Sequence, residues 1–132
     1  EIASSGVINH PIKDELLSWF KDMRYPRADD ITAYLNPFQK RFEEYKKIPA
    51  NELLRTLVEV TAEKIKEFYE YCDFPDEILF HGGGTLNKRL MKSIAEKTRS
   101  DIQTTDHIVP SRYMESSAFA YLAYADKGVL FK

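Results

Sequence analysis

The chain has 132 residues, with 19 basic and 21 acidic side chains and a net charge of -2 at pH 7. This near-neutral balance, without a basic run, argues against a dedicated nucleic-acid-binding domain, which is usually strongly basic. The single cysteine, Cys72, excludes an internal disulfide, and no apolar run is long enough to span a bilayer. We therefore expect one domain in the reducing cytoplasm, with no nucleic-acid partner and no membrane partner.

The first predicted element is a helix near the amino end. Pro11 suits a first helical turn, and either Asn9 or His10 can serve as the cap. The predicted apolar face of this helix consists of Leu16, Leu17, Trp19 and Phe20.

Two prolines interrupt the next segment. Residues 25–42 contain Pro26 and Pro37, which predict a loop or short turns. Asn36 and Pro37 predict the cap and first turn of a short helix that ends near Lys47.

The clearest predicted helix follows Pro49 and runs from Ala50 to Tyr71. Its apolar residues recur at alternating spacings of three and four, which is typical of one buried stripe, and Glu and Lys occupy most of the opposite face. The stripe consists of Leu53, Leu54, Leu57, Val58, Thr61, Ile65, Phe68, Tyr69 and Cys72.

The second half alternates predicted strands and helices. A short buried strand at 77–81 precedes a helix at 87–100 whose inward residues are Leu90, Met91 and Ile94, and a second short strand covers 101–105. We expect the two strands to be parallel neighbours with a right-handed crossover. The order of elements predicts an α/β fold.

The last predicted helix is capped by Ser111 and ends at Gly128. It is expected to pack through Met114, Ala118, Phe119, Leu122 and Ala123. Residues 129–131 predict a strand or an ordered tail.

Three consecutive glycines lie between the first strand and the helix that follows. Glycine permits positive φ angles and lets another group touch the backbone, and ligands of α/β sheets bind beyond the carboxyl ends of strands. The spacing matches neither the phosphate loop nor the dinucleotide fingerprint. Either the glycines form a tight turn and nothing more, or a flat group such as a purine ring or ribose lies on them. Asn87 can contact that ligand or cap the helix.

Residues 78–98 resemble the adenosine motif of the sugar-kinase branch of the actin–hexokinase ATPase superfamily. That motif consists of a strand, G-G-G-x-x-N, and a helix with Leu at the third position after Asn. The matching residues are Gly82, Gly83, Gly84, Asn87 and Leu90.

A second stretch, 113–124, is similar to the E-A-x-A-F-A-x-L-A helix of anhydro-N-acetylmuramic acid kinases. The matching residues are Glu115, Ala118, Phe119, Ala120, Leu122 and Ala123. Three residues, Thr104, Thr105 and Asp106, match the family's T-T-D-x-x-G loop, although the glycine is absent. Residues 56–62 resemble the family's T-L-T-E-L-T-A helix. Residues 26–40 do not reproduce the family's P-K-S-T-G-R-E segment, which puts sugar binding by that part in question.

The resemblance implies an α/β fold that is the C-terminal lobe of an actin/hexokinase-like (ribonuclease H-like) ATPase, helix-rich with a small sheet. It implies a single domain over residues 1–132, with a peripheral helical part at 1–48 and a nucleotide-binding core at 49–132. The N-terminal half of such a kinase, which carries the phosphate loops and the catalytic aspartate, is not part of this sequence.

The same resemblance implies the site. Gly82, Gly83, Gly84 and Asn87 are expected to contact the adenosine of ATP, and Glu115 is expected to face the amino-sugar substrate. Without the resemblance, Glu115 is an ordinary first-turn glutamate. No catalytic residue is expected in this chain, and no metal ligand either, because magnesium would be held mainly by the absent half.

The implied function is the ATP-binding part of a sugar kinase that hydrolyses and phosphorylates 1,6-anhydro-N-acetylmuramic acid in peptidoglycan recycling. This chain alone is not expected to catalyse, and its expected partner is the missing N-terminal lobe, on the same or a separate chain. The alternative is a non-catalytic, degenerate kinase lobe that acts as an interaction or dimerisation module, including as a homodimer. A third reading is the corresponding lobe of a glycerol-kinase-type enzyme.

Overall fold

A computed structural model describes residues 2–21 and 31–125 of the chain. No helix within these ranges is both long and apolar enough to cross a membrane. The helices and strands, in chain order, are α1 (Ile2–Ser5), α2 (His10–Trp19), α3 (Ile31–Lys40), α4 (Phe42–Tyr45), α5 (Ala50–Tyr71), β1 (Glu77–Phe80), α6 (Lys88–Lys97), β2 (Asp101–Thr104) and α7 (Met114–Tyr124). Short 3-10 turns cover Gly83–Leu86, Thr105–His107 and Ser111–Tyr113.

Helix α2 begins at one of the two caps that its sequence offers, Asn9, and His10 is its first helical residue. The side-chain oxygen of Asn9 accepts a hydrogen bond from the Ile12 N–H at 3.3 Å, and Pro11 lies in the first turn. The cap satisfies one of the N–H groups that a helix start leaves without a partner. Leu16 and Phe20 then become buried, and with Tyr45 and Val60 they form the hydrophobic core.

The prediction of loop or short turns across 31–40 is wrong. Residues Ile31–Lys40 form a helix that passes through Pro37, and a separate short helix, α4, follows. A proline inside a helix removes one backbone hydrogen bond, so the local sequence predicts that no helix runs through Pro37. The ring of Phe38 packs on Tyr45 with centroids 5.3 Å apart, and Trp19 contacts the same tyrosine at 6.0 Å. This packing between distant segments outweighs the local preference.

The bounds of α5 are confirmed, but its buried face is not the predicted stripe. The predicted members that are exposed are Leu54, Thr61, Phe68 and Cys72. Buried in their place are several polar and charged residues, among them Arg55, Thr56, Glu59 and Lys64. The reason is that α5 packs against α1, α2 and α6 together, so neighbours cover part of its charged face while part of its apolar face stays open.

Close approach of α1 to α5 requires a glycine at position 6. A side chain there would clash with the backbone carbonyl of Asn51. Packing inside the protein therefore explains why position 6 is a glycine.

A charge cluster joins α5 to α6, and it consists of Arg55, Glu59, Glu63 and Lys97. Arg55 Nη1 lies 3.0 Å from Glu59 Oε2, and Lys97 Nζ lies 2.6 Å from Glu59 Oε1 and 2.8 Å from Glu63 Oε1. Burial by itself would raise the pKa of Glu59, but hydrogen bonds from Lys97 and Arg55 outweigh it and lower that pKa to about 2. The cluster fixes α6 along α5 through ionised partners.

The sheet consists of β1 and β2, which are parallel as predicted. Glu77 pairs with Asp101 and Phe80 with Thr104, and α6 connects the two strands. The prediction that the first strand is buried is wrong, since Leu79 is 47% exposed. Within the described ranges β1 has a neighbour on one edge alone, so its other edge is left uncovered.

Two predictions about α7 are wrong. The residue at its cap position is Tyr113, which makes no capping hydrogen bond, and Ser111 belongs to the 3-10 turn before it. The helix has no buried residue: Met114 is half-buried, and Ala118, Phe119, Leu122 and Ala123 are exposed. The main contact of α7 is with the preceding turn, so nothing in the described chain covers its apolar side chains. The predicted end at Gly128 and the predicted tail lie outside the described residues.

Candidate functional site

The carboxyl ends of both strands lie at the same edge of the sheet, because the strands are parallel. β1 leads through Gly82 into the 3-10 turn Gly83–Leu86, which we call the glycine turn, and then into α6. β2 leads into the turn Thr105–His107. The edge at which an α/β sheet presents its ligand site is thus built from these two turns.

Gly82 holds the backbone conformation that starts the glycine turn. Its φ of 88° and ψ of 176° belong to a region that is essentially restricted to glycine. The Gly82 carbonyl accepts two hydrogen bonds from Thr85, one from the N–H at 3.1 Å and one from the hydroxyl at 2.8 Å. Sequence reasoning missed this role of Thr85, although a threonine hydroxyl commonly bonds a backbone carbonyl three or four positions earlier.

Gly83 and Gly84 differ from Gly82, since neither has a positive φ. A Cβ placed on Gly83 would meet nothing within 4 Å, and one on Gly84 would lie 4.0 Å from the Leu90 Cδ2. Neither backbone conformation nor internal packing therefore requires glycine at these positions, in contrast to Gly6. What their small size provides is open space directly beside the backbone.

Asn87 caps α6. Its side-chain oxygen accepts a hydrogen bond from the Leu90 N–H at 3.1 Å. Of the two roles that the sequence left open, the structure shows capping. The cap does not use the amide nitrogen of the side chain, so capping and ligand contact are compatible.

The loop after β2 is held by an internal carboxylate. The Ser111 N–H donates to Asp106 Oδ1 at 2.7 Å, and this hydrogen bond lowers the pKa of Asp106. Thr105 is 6% exposed, and its hydroxyl has no hydrogen-bond partner within the described part of the chain. These residues place the start of α7 relative to the sheet.

Glu115 lies in the first turn of α7 and is exposed to solvent. The turn Ser111–Tyr113, just before it, lies against the glycine turn. The fold thus brings the start of α7 beside the three glycines, although 31 positions separate Gly84 from Glu115. Arg112 stacks its guanidinium 4.6 Å from the centre of the Tyr113 ring at this junction.

Metal-ligating side chains do not converge here. Across residues 2–21 and 31–125, no group of three His, Cys, Asp or Glu side chains is arranged to hold an ion. The described residues therefore do not fit a magnesium site of their own, which would need several oxygen ligands.

A family model described as anhydro-N-acetylmuramic acid kinase matches residues 1–128. Among curated proteins, the anhydro-N-acetylmuramic acid kinase of Pseudomonas paraeruginosa is 32% identical over 127 residues, which is 92% of this chain and 35% of that relative. The proteins of the same description from Gamma-proteobacterium EBAC31A08 and Photobacterium profundum are both 31% identical over more than nine-tenths of this chain. The chain spans about a third of the length of these curated relatives.

Proposed function

The chain belongs to the anhydro-N-acetylmuramic acid kinase family, and from this we propose that it is the ATP-binding C-terminal part of such a sugar kinase. The whole enzyme would hydrolyse the 1,6-anhydro bond of anhydro-N-acetylmuramic acid and phosphorylate the freed hydroxyl, as part of peptidoglycan recycling. This chain supplies the nucleotide surface and one sugar contact. It depends on the N-terminal half for turnover.

The observation that carries the proposal is the open glycine turn. Gly83 and Gly84 leave free space beside the backbone that internal packing does not need. A flat adenosine can lie there in contact with the peptide units, and the amide of Asn87 can donate to it. The turn lies at the carboxyl edge of a parallel sheet and at the N-terminus of α6, where α/β proteins place nucleotides.

Glu115 is the proposed contact to the sugar. It is an exposed carboxylate at the start of α7, next to the glycine turn. A carboxylate close to the anhydro oxygen can orient the sugar or pass a proton to it. Glu115 would thus face the sugar while the glycines face the nucleotide, so both substrates meet at one end of the sheet.

Phosphoryl transfer itself is not assigned to this chain. The reaction needs groups that position and neutralise the transferred phosphate, and magnesium commonly supplies part of that charge. Among the described residues, no three His, Cys, Asp or Glu side chains are arranged to hold the ion. In the proposal, the N-terminal half contributes the phosphate contacts, the metal and the base.

The test is a titration of the chain with ATP, followed by amide chemical shifts. We expect shifts confined to residues 82–87, and we expect Gly83→Val to weaken binding by about tenfold or more. The Val side chain would fill the space that the adenosine needs, while the structure offers it no clash of its own. Ala95→Val, at an exposed position on α6 away from the turn, is the matched control and should bind as the unchanged chain does.

Two results would count against the proposal. Equal binding by the unchanged chain and the Gly83→Val variant would show that the nucleotide does not lie on the glycine turn. Shifts centred on another part of the chain would move the nucleotide site elsewhere.

The exposed apolar surface of α7 favours a second candidate, a non-catalytic interaction module. A helix with apolar side chains on all its faces is normally buried, yet here Phe119 is 65% and Tyr124 is 90% exposed. A module of this kind would form a concentration-dependent dimer in sedimentation experiments without nucleotide, and Phe119→Glu would abolish it. If the chain is a monomer at all concentrations, the interaction module is excluded and the kinase proposal is the one that remains.

A further inference from the structure

The loop at 104–110 has no role in the proposed function, although it begins with the T-T-D match. It connects the carboxyl end of β2 to the turn Ser111–Tyr113, and α7 follows that turn directly. The N–H groups of Ile108 and Val109 both donate to the Thr105 carbonyl at 2.9 Å, which closes the first part of the loop. The loop is therefore an ordered connection between the sheet and the helix that carries the proposed sugar contact.

The start of α7 has no side-chain cap from its own cap positions. The turn Ser111–Tyr113 is preceded by Pro110, and α7 is preceded by Tyr113, and neither side chain makes a capping hydrogen bond. A helix start leaves N–H groups without partners, and a carboxylate is a favoured acceptor for them. Asp106 supplies that acceptor from five positions away, since its Oδ1 accepts the Ser111 N–H at 2.7 Å. This hydrogen bond ties the beginning of the turn to the end of β2.

Helix α7 has few other attachments in the part of the chain that the structure describes. None of its residues is buried, and its main contact is with the turn Ser111–Tyr113, which lies against the glycine turn. The place of Glu115 therefore depends on how the turn Ser111–Tyr113 is held. Asp106 holds this turn while being exposed itself, so it contributes nothing to the hydrophobic core.

We propose that Asp106 is a positioning residue of the sugar end of the site, which holds Glu115 beside the glycine turn through the Ser111 N–H. The inference rests on the proposed function, because the sugar contact of Glu115 is part of it. Asp106 acts through the turn and does not touch the substrate. A carboxylate that orients a substrate has to be held closely, since a displacement of about 1 Å can cost a large factor in rate.

The hydrogen bond distinguishes a positioning role from a direct one. In a positioning role the acceptor oxygen of residue 106 matters, and its negative charge does not. Asn has the same acceptor oxygen without the charge, whereas Ala has neither. Asp106→Asn should therefore keep the arrangement, and Asp106→Ala should lose it. A carboxylate that contacted a ligand through its charge would lose its effect in both variants.

The first part of the test needs no ligand. Amide exchange at Ser111 should become faster by about tenfold in Asp106→Ala and stay within about twofold of the unchanged chain in Asp106→Asn. Nuclear Overhauser contacts between residues 83–86 and 111–113 should weaken in Asp106→Ala alone. Asp101→Ala is the matched control and should change neither, because Asp101 is an exposed aspartate at the other end of β2.

The second part titrates the same variants with 1,6-anhydro-N-acetylmuramic acid and, separately, with ATP. We expect Asp106→Ala to weaken sugar binding by about tenfold, as Glu115→Gln should. ATP binding should stay within about twofold, because the glycine turn is closed by its own Thr85 hydrogen bond and by the Asn87 cap. Asp106→Asn should bind both ligands as the unchanged chain does. A general loss of the fold would not separate the two ligands.

Three results would overturn the inference. Unchanged exchange at Ser111 with intact contacts in Asp106→Ala would mean that another group holds the start of α7. Equal losses in Asp106→Asn and Asp106→Ala would assign the effect to the charge. Loss of ATP binding together with sugar binding in Asp106→Ala would make Asp106 a general structural residue.

The proposed function fails in a different way. If the unchanged chain shows ATP shifts at 82–87 but does not bind the sugar, the sugar contact of Glu115 is overturned, and this inference with it, while the nucleotide role stays. If ATP gives no shifts but sugar binding depends on Asp106 and Glu115 as expected, the nucleotide role is overturned and the positioning role is supported.

Discussion

The three adjacent glycines serve different physical purposes at the scale of single residues. Gly82 is required by the backbone, because its positive φ is unfavourable for any residue with a Cβ. Gly83 and Gly84 are required by neither conformation nor packing. A run that looks uniform in the sequence therefore combines one structural position with two that leave room for a ligand.

The difference predicts that alanine destabilises the fold at position 82 and has almost no effect on its stability at position 83. Gly82→Ala should lower the free energy of unfolding by about 1–3 kcal/mol, because the new Cβ opposes the positive φ. Gly83→Ala should change the free energy of unfolding by less than about 0.5 kcal/mol, since its Cβ meets nothing. Urea unfolding of the two variants measures both values. Equal destabilisation at both positions would contradict the assigned roles.

At the scale of elements, buried charges join α5 to α6. Glu59 accepts hydrogen bonds from Arg55, Ser93 and Lys97, and all of these contacts lie between or within the two helices. A buried ion pair gains from its mutual attraction only when each partner is satisfied. Here the shared carboxylate also fixes α6, and α6 begins at the glycine turn. The cluster thus links the long helix to the candidate site.

The low pKa of Glu59 predicts an acid-dependent loss of stability. Its folded pKa of about 2 lies below the ordinary value of 4.5, so the ionised group stabilises the fold fully above pH 4.5 and loses this effect as the pH falls toward 2. The loss attributable to Glu59 should be about 3 kcal/mol by pH 2. Urea unfolding at several pH values in that window measures it.

Two variants isolate the contribution of Glu59 from that of other carboxylates. Glu59→Gln should be less stable at neutral pH, because Arg55 is left buried without its charged partner, and its stability should fall less steeply in acid. Glu96→Gln removes an exposed carboxylate of α6 and should keep the full acid dependence. The interpretation is wrong if the two variants have the same acid slope.

At the scale of the whole molecule, the core joins the first part of the chain to its centre. Leu16 and Phe20 of α2 pack with Tyr45 of α4 and Val60 of α5. Tyr45 also donates its hydroxyl to Glu15 at 3.0 Å, and burial together with this hydrogen bond raises the pKa of Tyr45 above its ordinary value. The first part of the chain is therefore packed against α5.

A pair of leucine variants tests whether burial in this core, and not the apolar pattern of α5, determines the contribution of a leucine to stability. Leu16→Ala should lower the free energy of unfolding by about 2–5 kcal/mol, because it empties a fully buried site. Leu54→Ala should lower it by less than about 1 kcal/mol, since this member of the predicted stripe is exposed. Thermal and urea unfolding give both values. A large loss at Leu54 would mean that the apolar stripe of α5 faces the core as the sequence predicts.

Local chemistry made several features predictable from the sequence. The bounds of α5 and the two parallel strands were predicted correctly, and Asn9 is one of the two caps that the sequence offered for α2. The cap and the bounds of α5 depend on side chains within a few positions of one another, or on a periodicity that a single segment carries, and the parallel pairing follows from the order of strand, helix and strand. The family likewise follows from short motifs, and the comparison with known proteins confirms it.

Contacts between distant segments decided the rest. The helix through Pro37, the buried charges of α5, the exposed α7 and the open edge of β1 all depend on which neighbours are present and which are absent. Periodicity identifies an apolar face but does not say what covers it, because burial is a property of packed elements and not of one element. The sequence by itself thus determined the bounds of α5, the order of strand, helix and strand in the second half, and the family, because each follows from a local pattern. The tertiary structure decided which glycines leave space beside the backbone and which apolar side chains of the described residues are exposed, because both depend on packed neighbours.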